Sequence, residues 1–369
     1  METTSTAMLI ATPLAAMHAG ANARMGVRFG CALPHDFGDA VAEYHFVRES
    51  VGLIDKNYRA YLSFTGPDRV RYLNALLTNN IKDLRLGQGI VSLLLNPQGH
   101  ILAEIETFAM ADRLLCVSYS MIRERLIEWL DKYIIMDDVT LTDETERFGT
   151  LALEGPKARA IVQELAGVDL RQWADLFSLE GTVASIPCRI VKRSPGGVAG
   201  AEFVVEREKL QELWHVLLEA GRGHGGGPAG YSALSAIRLA QGVPWFGYDF
   251  GEKQIPHEAG LQDSHISYTK GCYTGQEIVE RVRSRGQVNR LRVGLLFSGD
   301  TVPEAGSALT LDGKDVGYVT RAAKLPDPLR VIGMGYVRKE ASSPESKLQW
   351  LNGTATVVRF PDVIEASAK

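Results

Sequence analysis

The stretch Ile90-Val-Ser-Leu-Leu-Leu95-Asn-Pro-Gln-Gly99-His-Ile101-Leu-Ala-Glu-Ile-Glu-Thr-Phe-Ala109 holds two apolar runs around Asn96-Pro97-Gln98-Gly99. That quartet is a turn signal, so residues 90–95 and 101–109 read as an antiparallel hairpin. Outward from it, helical and strand patterns alternate from about residue 39 to 135. Residues 40–50 suit a helix, and Arg59–Thr65 alternates like a strand. Gly66-Pro67-Asp68 breaks that strand and opens a helix carrying Val70, Leu73, Leu76 and Leu77 inward. Residues 121–133 suit another helix. The pattern repeats downstream: a strand at 150–154, Gly155-Pro156, a helix at 157–166, strands near 188–193 and 201–206, and a helix at 207–220. The last has Leu210, Leu213, Trp214, Leu217 and Leu218 on one face. Two α+β units with antiparallel sheets follow, at 1–138 and 139–290.

Past residue 290 the pattern changes. Leu291, Val293, Leu295 and Phe297 alternate, and Asp312-Gly313 and Asn352-Gly353 are hairpin-turn dipeptides. No helix of ordinary length fits after about residue 340. Residues 291–369 therefore read as a separate all-β barrel.

With 40 Lys+Arg against 44 Asp+Glu in 369 residues, the formal net charge is −4. That removes a basic footprint for nucleic acid. No run approaches a membrane span. The first basic residue is Arg24, which leaves no positive n-region for a signal peptide. Cys31, Cys116, Cys188 and Cys272 are widely separated with no C-x-x-C. A zinc ribbon, a cluster cage and a disulfide scaffold are excluded, and reduced thiols in the cytoplasm are expected, with no metal site. Gly225-Gly-Gly227-Pro-Ala-Gly230 matches G-x-G-x-x-G, but it follows a helix where a dinucleotide fold has a strand, and the run from Gly221 to Gly230 reads as a helix stop and flexible linker.

Four places carry candidate chemistry. In Lys270-Gly-Cys272-Tyr273-Thr274-Gly-Gln276-Glu277, Thr274 and Glu277 form a T-x-x-E capping box for a helix starting near Gly275. Cys272 then lies at a helix N-terminus with Lys270, Arg281, Arg283 and Arg285 close in sequence, surroundings that favour a thiolate; the alternative is a small buried hydrophobe. Glu202 opens a strand after Gly197-Val-Ala-Gly200, where a carboxylate can accept two hydrogen bonds from an aminopyrimidine edge; taken alone, it also suits a solvated strand end. Glu104, after the Asn96–Gly99 turn, has the same two readings. Arg238 sits in the apolar stretch Ala-Ile-Arg-Leu-Ala and needs a partner, either an anionic ligand or an internal carboxylate.

In this order the segments resemble the folate-binding superfamily of the glycine-cleavage T-protein (aminomethyltransferase) and the YgfZ-type iron–sulfur maintenance proteins. Thr12-Pro13-Leu14, His18, Met25-Gly-Val-Arg-Phe-Gly30 and Leu33-Pro34 resemble the T-protein opening. Both branches share His45-Phe-Val-Arg48, Gly52-Leu-Ile-Asp55, Gly66-Pro-Asp68, Tyr72-Leu73, Thr78-Asn79 and Leu153-Glu-Gly-Pro-Lys157. They also share Arg238 with Gly242-Val-Pro244, Pro256-His-Glu258-Ala and Val316-Gly-Tyr-Val-Thr320. The 270–277 segment resembles the YgfZ signature. T-proteins usually have two consecutive aspartates, one catalytic, where this chain has Ala103-Glu104, and aspartate-valine-serine-histidine where it has Asp55-Lys-Asn-Tyr58.

The resemblance implies two intertwined α+β domains plus the barrel around a central folate channel. It implies tetrahydrofolate as ligand, with Glu202, Arg238, Glu104, Lys270 and Tyr273 binding it and Cys272 as the reactive or partner-facing thiol. The function it points to first is support of iron–sulfur cluster assembly or repair in client enzymes. The alternatives are a glycine-cleavage-type aminomethyltransferase or other tetrahydrofolate-dependent one-carbon transferase, and a non-catalytic folate-binding module. Expected partners are folate and iron–sulfur client or assembly proteins, with no nucleic acid, no membrane and a monomeric chain.

Overall fold

The computed structural model describes residues 9–286 and 288–360. The expected hairpin forms between Gly89–Leu95 and Ile101–Ala109 and opens a five-stranded antiparallel sheet. Its order continues through Leu114–Tyr119, Arg59–Thr65 and Thr140–Asp143. A six-stranded sheet runs Ser178–Val183, Ile186–Lys192, Gly200–Glu206, Phe148–Glu154, Gly52–Asp55 and Gly227–Pro228. Two strands thus cross the expected division at residue 138. Gly52–Asp55 pairs antiparallel with Phe148–Glu154 in the second sheet, and Thr140–Asp143 pairs with Arg59–Thr65 in the first. A small sheet of Ile10–Ala11, Arg24–Arg28 and Cys31–Asp36 lies beside them.

Local chemistry explains the helices. Asp39 caps Ala40–Glu49, its carboxylate accepting from the amides of Val41 and Ala42. After Thr65 the chain turns at Gly66, with φ 93°, into the helix Arg69–Leu76. A Cβ at Gly66 would lie 2.1 Å from the Asp138 carbonyl oxygen, so this turn needs glycine twice over. The helices at Arg123–Asp131, Ala158–Ala166 and Leu210–Gly223 lie within a few residues of their expected places.

The run Gly221–Gly230 is not the flexible linker expected: the helix continues to Gly223. Gly227–Pro228 forms an edge strand parallel to Gly52–Leu53, and the Gly230 amide donates to Glu43 at 2.8 Å. A Cβ at Gly226 would come 2.1 Å from the Val51 carbonyl oxygen, so the glycines serve close backbone packing.

After residue 290 six strands close a barrel: Arg290–Phe297, Leu329–Arg338, Lys314–Pro326, Ala308–Leu311, Lys347–Trp350 and Gly353–Val358. Asp312 and Gly313 are both left-handed, at φ 51° and 75°, as a tight twisted hairpin requires. The second turn is shifted by one residue from the expected dipeptide. Trp350 pairs with Gly353, so Leu351 and Asn352 form the loop. The barrel is clamped to the second unit by Arg321, which donates to Asp249 at 2.6 Å and stacks on Trp245 at 4.1 Å. No helix among the described residues is long and apolar enough to cross a membrane.

Candidate functional site

The chain leaves the six-stranded sheet at Asp55 and enters the five-stranded sheet at Arg59. The crossing segment Lys56-Asn57-Tyr58 therefore lies between the sheets. Asp55 anchors it: one carboxylate oxygen accepts from the Asn57 amide at 2.9 Å, and the other bonds Thr12 at 2.6 Å and buried His18 at 2.7 Å. A cavity of about 420 Å³ opens there, within the range of small-molecule sites.

Its wall is a chain of alternating charges. Arg238 donates to Glu154 at 2.8 Å, and Lys56 donates to the same oxygen at 2.7 Å and to Glu202 at 3.4 Å. Arg59 grips both oxygens of Glu202 at 2.9 and 3.0 Å and lies 3.4 Å from Glu106. Arg193 closes the series on Glu106 at 2.6 Å. The four cations face three buried carboxylates, and Arg193 also reaches Asp175 on the cavity lining at 3.4 Å, so the charges balance. Burial alone would raise the Glu202 carboxyl, but the pull of Arg59, Lys56 and Arg193 overrides it and holds the group far below its ordinary range. Glu154 is likewise lowered, as Arg238 and Lys56 outweigh its burial. Three polar atoms of lining residues, Arg59 Nε, Ser194 Oγ and Arg238 Nε, are buried without a hydrogen-bond partner among the described residues. Buried polar atoms are seldom left so, and here a ligand would satisfy them.

A second cluster stands on the hairpin strand. Successive side chains of a strand point to opposite faces. Ile101, Ala103 and Ile105 enter the hydrophobic core, while Glu104 and Glu106 face the cavity. Tyr119 donates to Glu104 at 2.6 Å, and His265 Nε2 lies 3.0 Å from its other oxygen. Burial pushes the Glu104 carboxyl up, yet the hydrogen bonds from His265 and Tyr119, with the charge of Arg193, bring it below its ordinary value. Ser264 Oγ lies 2.7 Å from His265 Nδ1.

The structure gathers three of the six sequence candidates at the cavity: Glu104, Glu202 and Arg238. Glu202 is no solvated strand end; it is buried and engaged by Arg59 and Lys56. Arg238 takes the internal-carboxylate option, through Glu154. Lys270, Cys272 and Tyr273 do not line this cavity. The Lys270 ammonium donates to the carbonyls of Asn74, Leu77 and Asn79, closing the C-terminal end of the helix Arg69–Leu76. Its burial lowers it to about 8. Tyr273 is buried beneath Lys270, whose Nζ is 5.2 Å from the ring centroid.

Cys272 is exposed, which removes the buried-hydrophobe alternative. The capping box does not form. The helix Gln276–Arg285 starts after Gly275, which is left-handed at φ 82°, and no side chain caps it. A Cβ at Gly275 would lie 2.7 Å from the Asn96 carbonyl oxygen, so the segment packs on the hairpin turn. Arg283, expected beside the thiol, stacks on Tyr268 at 4.3 Å and pairs with Glu280 at 3.4 Å. The Arg285 side chain and residues 1–8 lie outside the described residues.

Lys56, Arg59, Glu106, Glu154, Arg193 and His265 went unrecognised in the sequence. Glu106 had a signal, two residues from Glu104 on the same strand face. Lys56 and Arg59 were visible only as charges between two apolar strands. His265 had none.

Two sheets that exchange strands over an ionic cavity, with a C-terminal barrel that contributes Arg292 to its lining, define a three-part fold built around a polar cavity. Residues 14–265 match the GCVT N-terminal domain, and residues 290–361 match the glycine cleavage T-protein C-terminal barrel domain. The chain belongs to the glycine-cleavage T-protein family. It is 28% identical to an aminomethyltransferase of Streptomyces avermitilis over 336 residues, 90% of each chain. It is 30% identical to one from Koribacter versatilis over 342 residues, 90% of this chain and 89% of that one. The crystal structure of glycine cleavage system aminomethyltransferase T from Bartonella henselae has the same fold, with a TM-score of 0.87, 23% identity and coverage of 97% and 98% of the two chains. These relatives favour the aminomethyltransferase branch, set second in the sequence reading, over the YgfZ-type branch.

Proposed function

We propose that this chain is a cytoplasmic, tetrahydrofolate-dependent one-carbon transferase of the aminomethyltransferase type. The observation that carries the proposal is the facing of the hairpin strand. Ala103, which stands where a T-protein has one of its aspartates, points into the core. Glu104 puts a carboxylate on the cavity wall with Tyr119 and His265 fixing both oxygens. The missing aspartate therefore removes nothing from the cavity.

The residues present suit a folate. Carboxylate oxygens of Glu104 and Glu202 offer acceptors for a pterin's N–H groups, and the guanidinium groups of Arg193 and Arg238 on the cavity lining offer donors to an anionic tail. Bound tetrahydrofolate would supply an amine that accepts a one-carbon unit. The chain's part is then to hold that amine against Glu104, which is ionised and able to take up a proton, while the ion chain fixes the wall. General acid–base help of this kind is worth about 10²–10⁴-fold.

The test is ammonia release from an aminomethyl-loaded lipoyl carrier protein, with and without tetrahydrofolate. Folate-dependent release that falls in Glu104→Gln supports the proposal; no release from the wild type refutes it.

One observation favours a second reading, support of iron–sulfur clients: the exposed Cys272 in the 270–277 segment. Iron–sulfur enzyme activity in a deletion strain, complemented by the wild type but not by Cys272→Ala, would establish it over the first.

A further inference from the structure

The Glu104 carboxylate does not end at the cavity. Its Oε1 meets His265 Nε2 at 3.0 Å, and His265 Nδ1 meets Ser264 Oγ at 2.7 Å. His265 is only 8% exposed, whereas Ser264, its neighbour in the short helix Gln262–His265, is exposed. Three side chains, all lining the cavity, thus form a continuous line of hydrogen bonds from Glu104 to the exposed Ser264. Tyr119 holds the other carboxylate oxygen, and Arg193 is the further charge acting on Glu104.

The network sets the imidazole tautomer. An ionised Glu104 can only accept, so Nε2 carries the hydrogen and donates. Nδ1 is then the acceptor, and the Ser264 hydroxyl donates to it. A proton can therefore enter at one ring nitrogen while another leaves from the opposite one.

We propose that Ser264 and His265 form a proton relay that reloads Glu104 from water at the exposed Ser264. In one passage Ser264 gives its hydroxyl proton to His265 Nδ1 and takes one from water. His265 releases its Nε2 proton to Glu104. The carboxyl gains one proton and water loses one; once Glu104 has passed its proton on, the ring regains its starting tautomer by losing the Nδ1 proton through Ser264 to water and taking one up at Nε2. Run backwards, the same line discharges a proton that Glu104 has taken from a substrate amine. His265 acts through Glu104 and is a positioning and relay residue. The role of Glu104 in turnover rests on the transferase reading; the relay does not.

The experiment has two arms. In the ligand-free protein, nitrogen-15 NMR of His265 should find the Nε2–H tautomer, and Ser264→Val should slow exchange of that proton with water by about tenfold or more. Another tautomer, or unchanged exchange in the folded variant, overturns the relay. In the carrier-protein assay, His265→Gln keeps a donor beside Glu104 but cannot pass a proton. It should bind tetrahydrofolate like the wild type and transfer about 10- to 100-fold more slowly, the scale of lost acid–base help. Imidazole in the buffer should restore the rate. A wild-type rate, or a slow rate without rescue, also overturns the relay. If the wild type shows no transfer, the transferase reading fails and the exchange arm alone decides the relay.

Discussion

Restoring an aspartate at position 103 should harm the protein rather than improve it. Ala103 is fully buried, pairs with Leu94 across the hairpin, and lies between Ile101 and Ile105 on the core face. A carboxyl there would meet only hydrocarbon. Burying it costs on the order of several kcal/mol whether it stays charged or is forced neutral. That is a large share of the roughly 5–15 kcal/mol that holds an ordinary domain together. Glu104→Gln is close in shape and keeps its place on the cavity wall, so its fold should survive. Its transfer rate should fall by about 10²–10⁴-fold, a rise of roughly 2.7–5.5 kcal/mol in the barrier. Urea unfolding followed by fluorescence reads the first effect, and turnover with the lipoyl carrier protein reads the second. An Ala103→Asp protein as stable as the wild type, and faster in transfer, would refute the assignment of strand faces.

Glu202→Ala should leave Arg59 with Glu106 alone and Lys56 with Glu154 alone, a buried shortage of one carboxylate that should cost up to about 3–5 kcal/mol, read as an earlier urea midpoint; an unchanged midpoint would mean that the ion chain is not closed. Glu104, Glu154 and Glu202 all have folded values held below the ordinary 4.5. The stability they contribute is therefore complete above about pH 4.5 and lost as pH falls through their lower folded values; melting temperature should drop steeply below that pH, and a flat profile down to pH 3 would contradict the shifts. Iodoacetamide should label Cys272 in the folded protein well before the other three thiols, because they are buried and burial raises Cys31 to about 11 and Cys116 and Cys188 to about 12; mass spectrometry showing equal labelling would refute this. Lys270→Ala should free the carbonyls of Asn74, Leu77 and Asn79 and lower the melting temperature without weakening folate binding, whereas lost binding by calorimetry would return Lys270 to the site.

Periodicity carried the architecture because burial enforces it. The hairpin at 90–109, the helix face Leu210–Leu217 and the alternation from Leu291 each record which side of an element meets the core, and each forms as expected. What periodicity cannot record is pairing between distant segments. Arg238 shows the limit. A cation in an apolar stretch demands a partner, and the sequence left two kinds open. The structure supplies Glu154, from a strand in the adjacent sheet, and Glu154 in turn binds Lys56 from the crossing segment. Nothing local in 56, 154 or 238 announces the other two. The capping box failed for a related reason. Gly275 already adopts the left-handed turn that packs the segment against the Asn96–Gly99 turn, so tertiary contact rather than Thr274 starts the helix.

The Ala103-Glu104 pair shows how local physics and family pattern can point in opposite directions from the same residues. Matching by position counts carboxylates and finds one missing. Strand geometry asks which face each residue takes, and adjacent residues on a strand never share one. Two aspartates in succession would place one toward the cavity and one toward the core or a separate partner. Since 103 is the core position here, alanine is the residue that a tightly packed apolar interior accepts most easily, and the single carboxylate at 104 occupies the place where chemistry can use it. The same period of two adds Glu106 to that face, where Arg59 and Arg193 hold it. The strand thus contributes one carboxylate to the ion chain and one, two residues earlier, to the hydrogen-bond line through His265. These environments differ because their partners do: guanidinium groups fix the charge of Glu106, whereas Glu104 is held by an imidazole and a phenol.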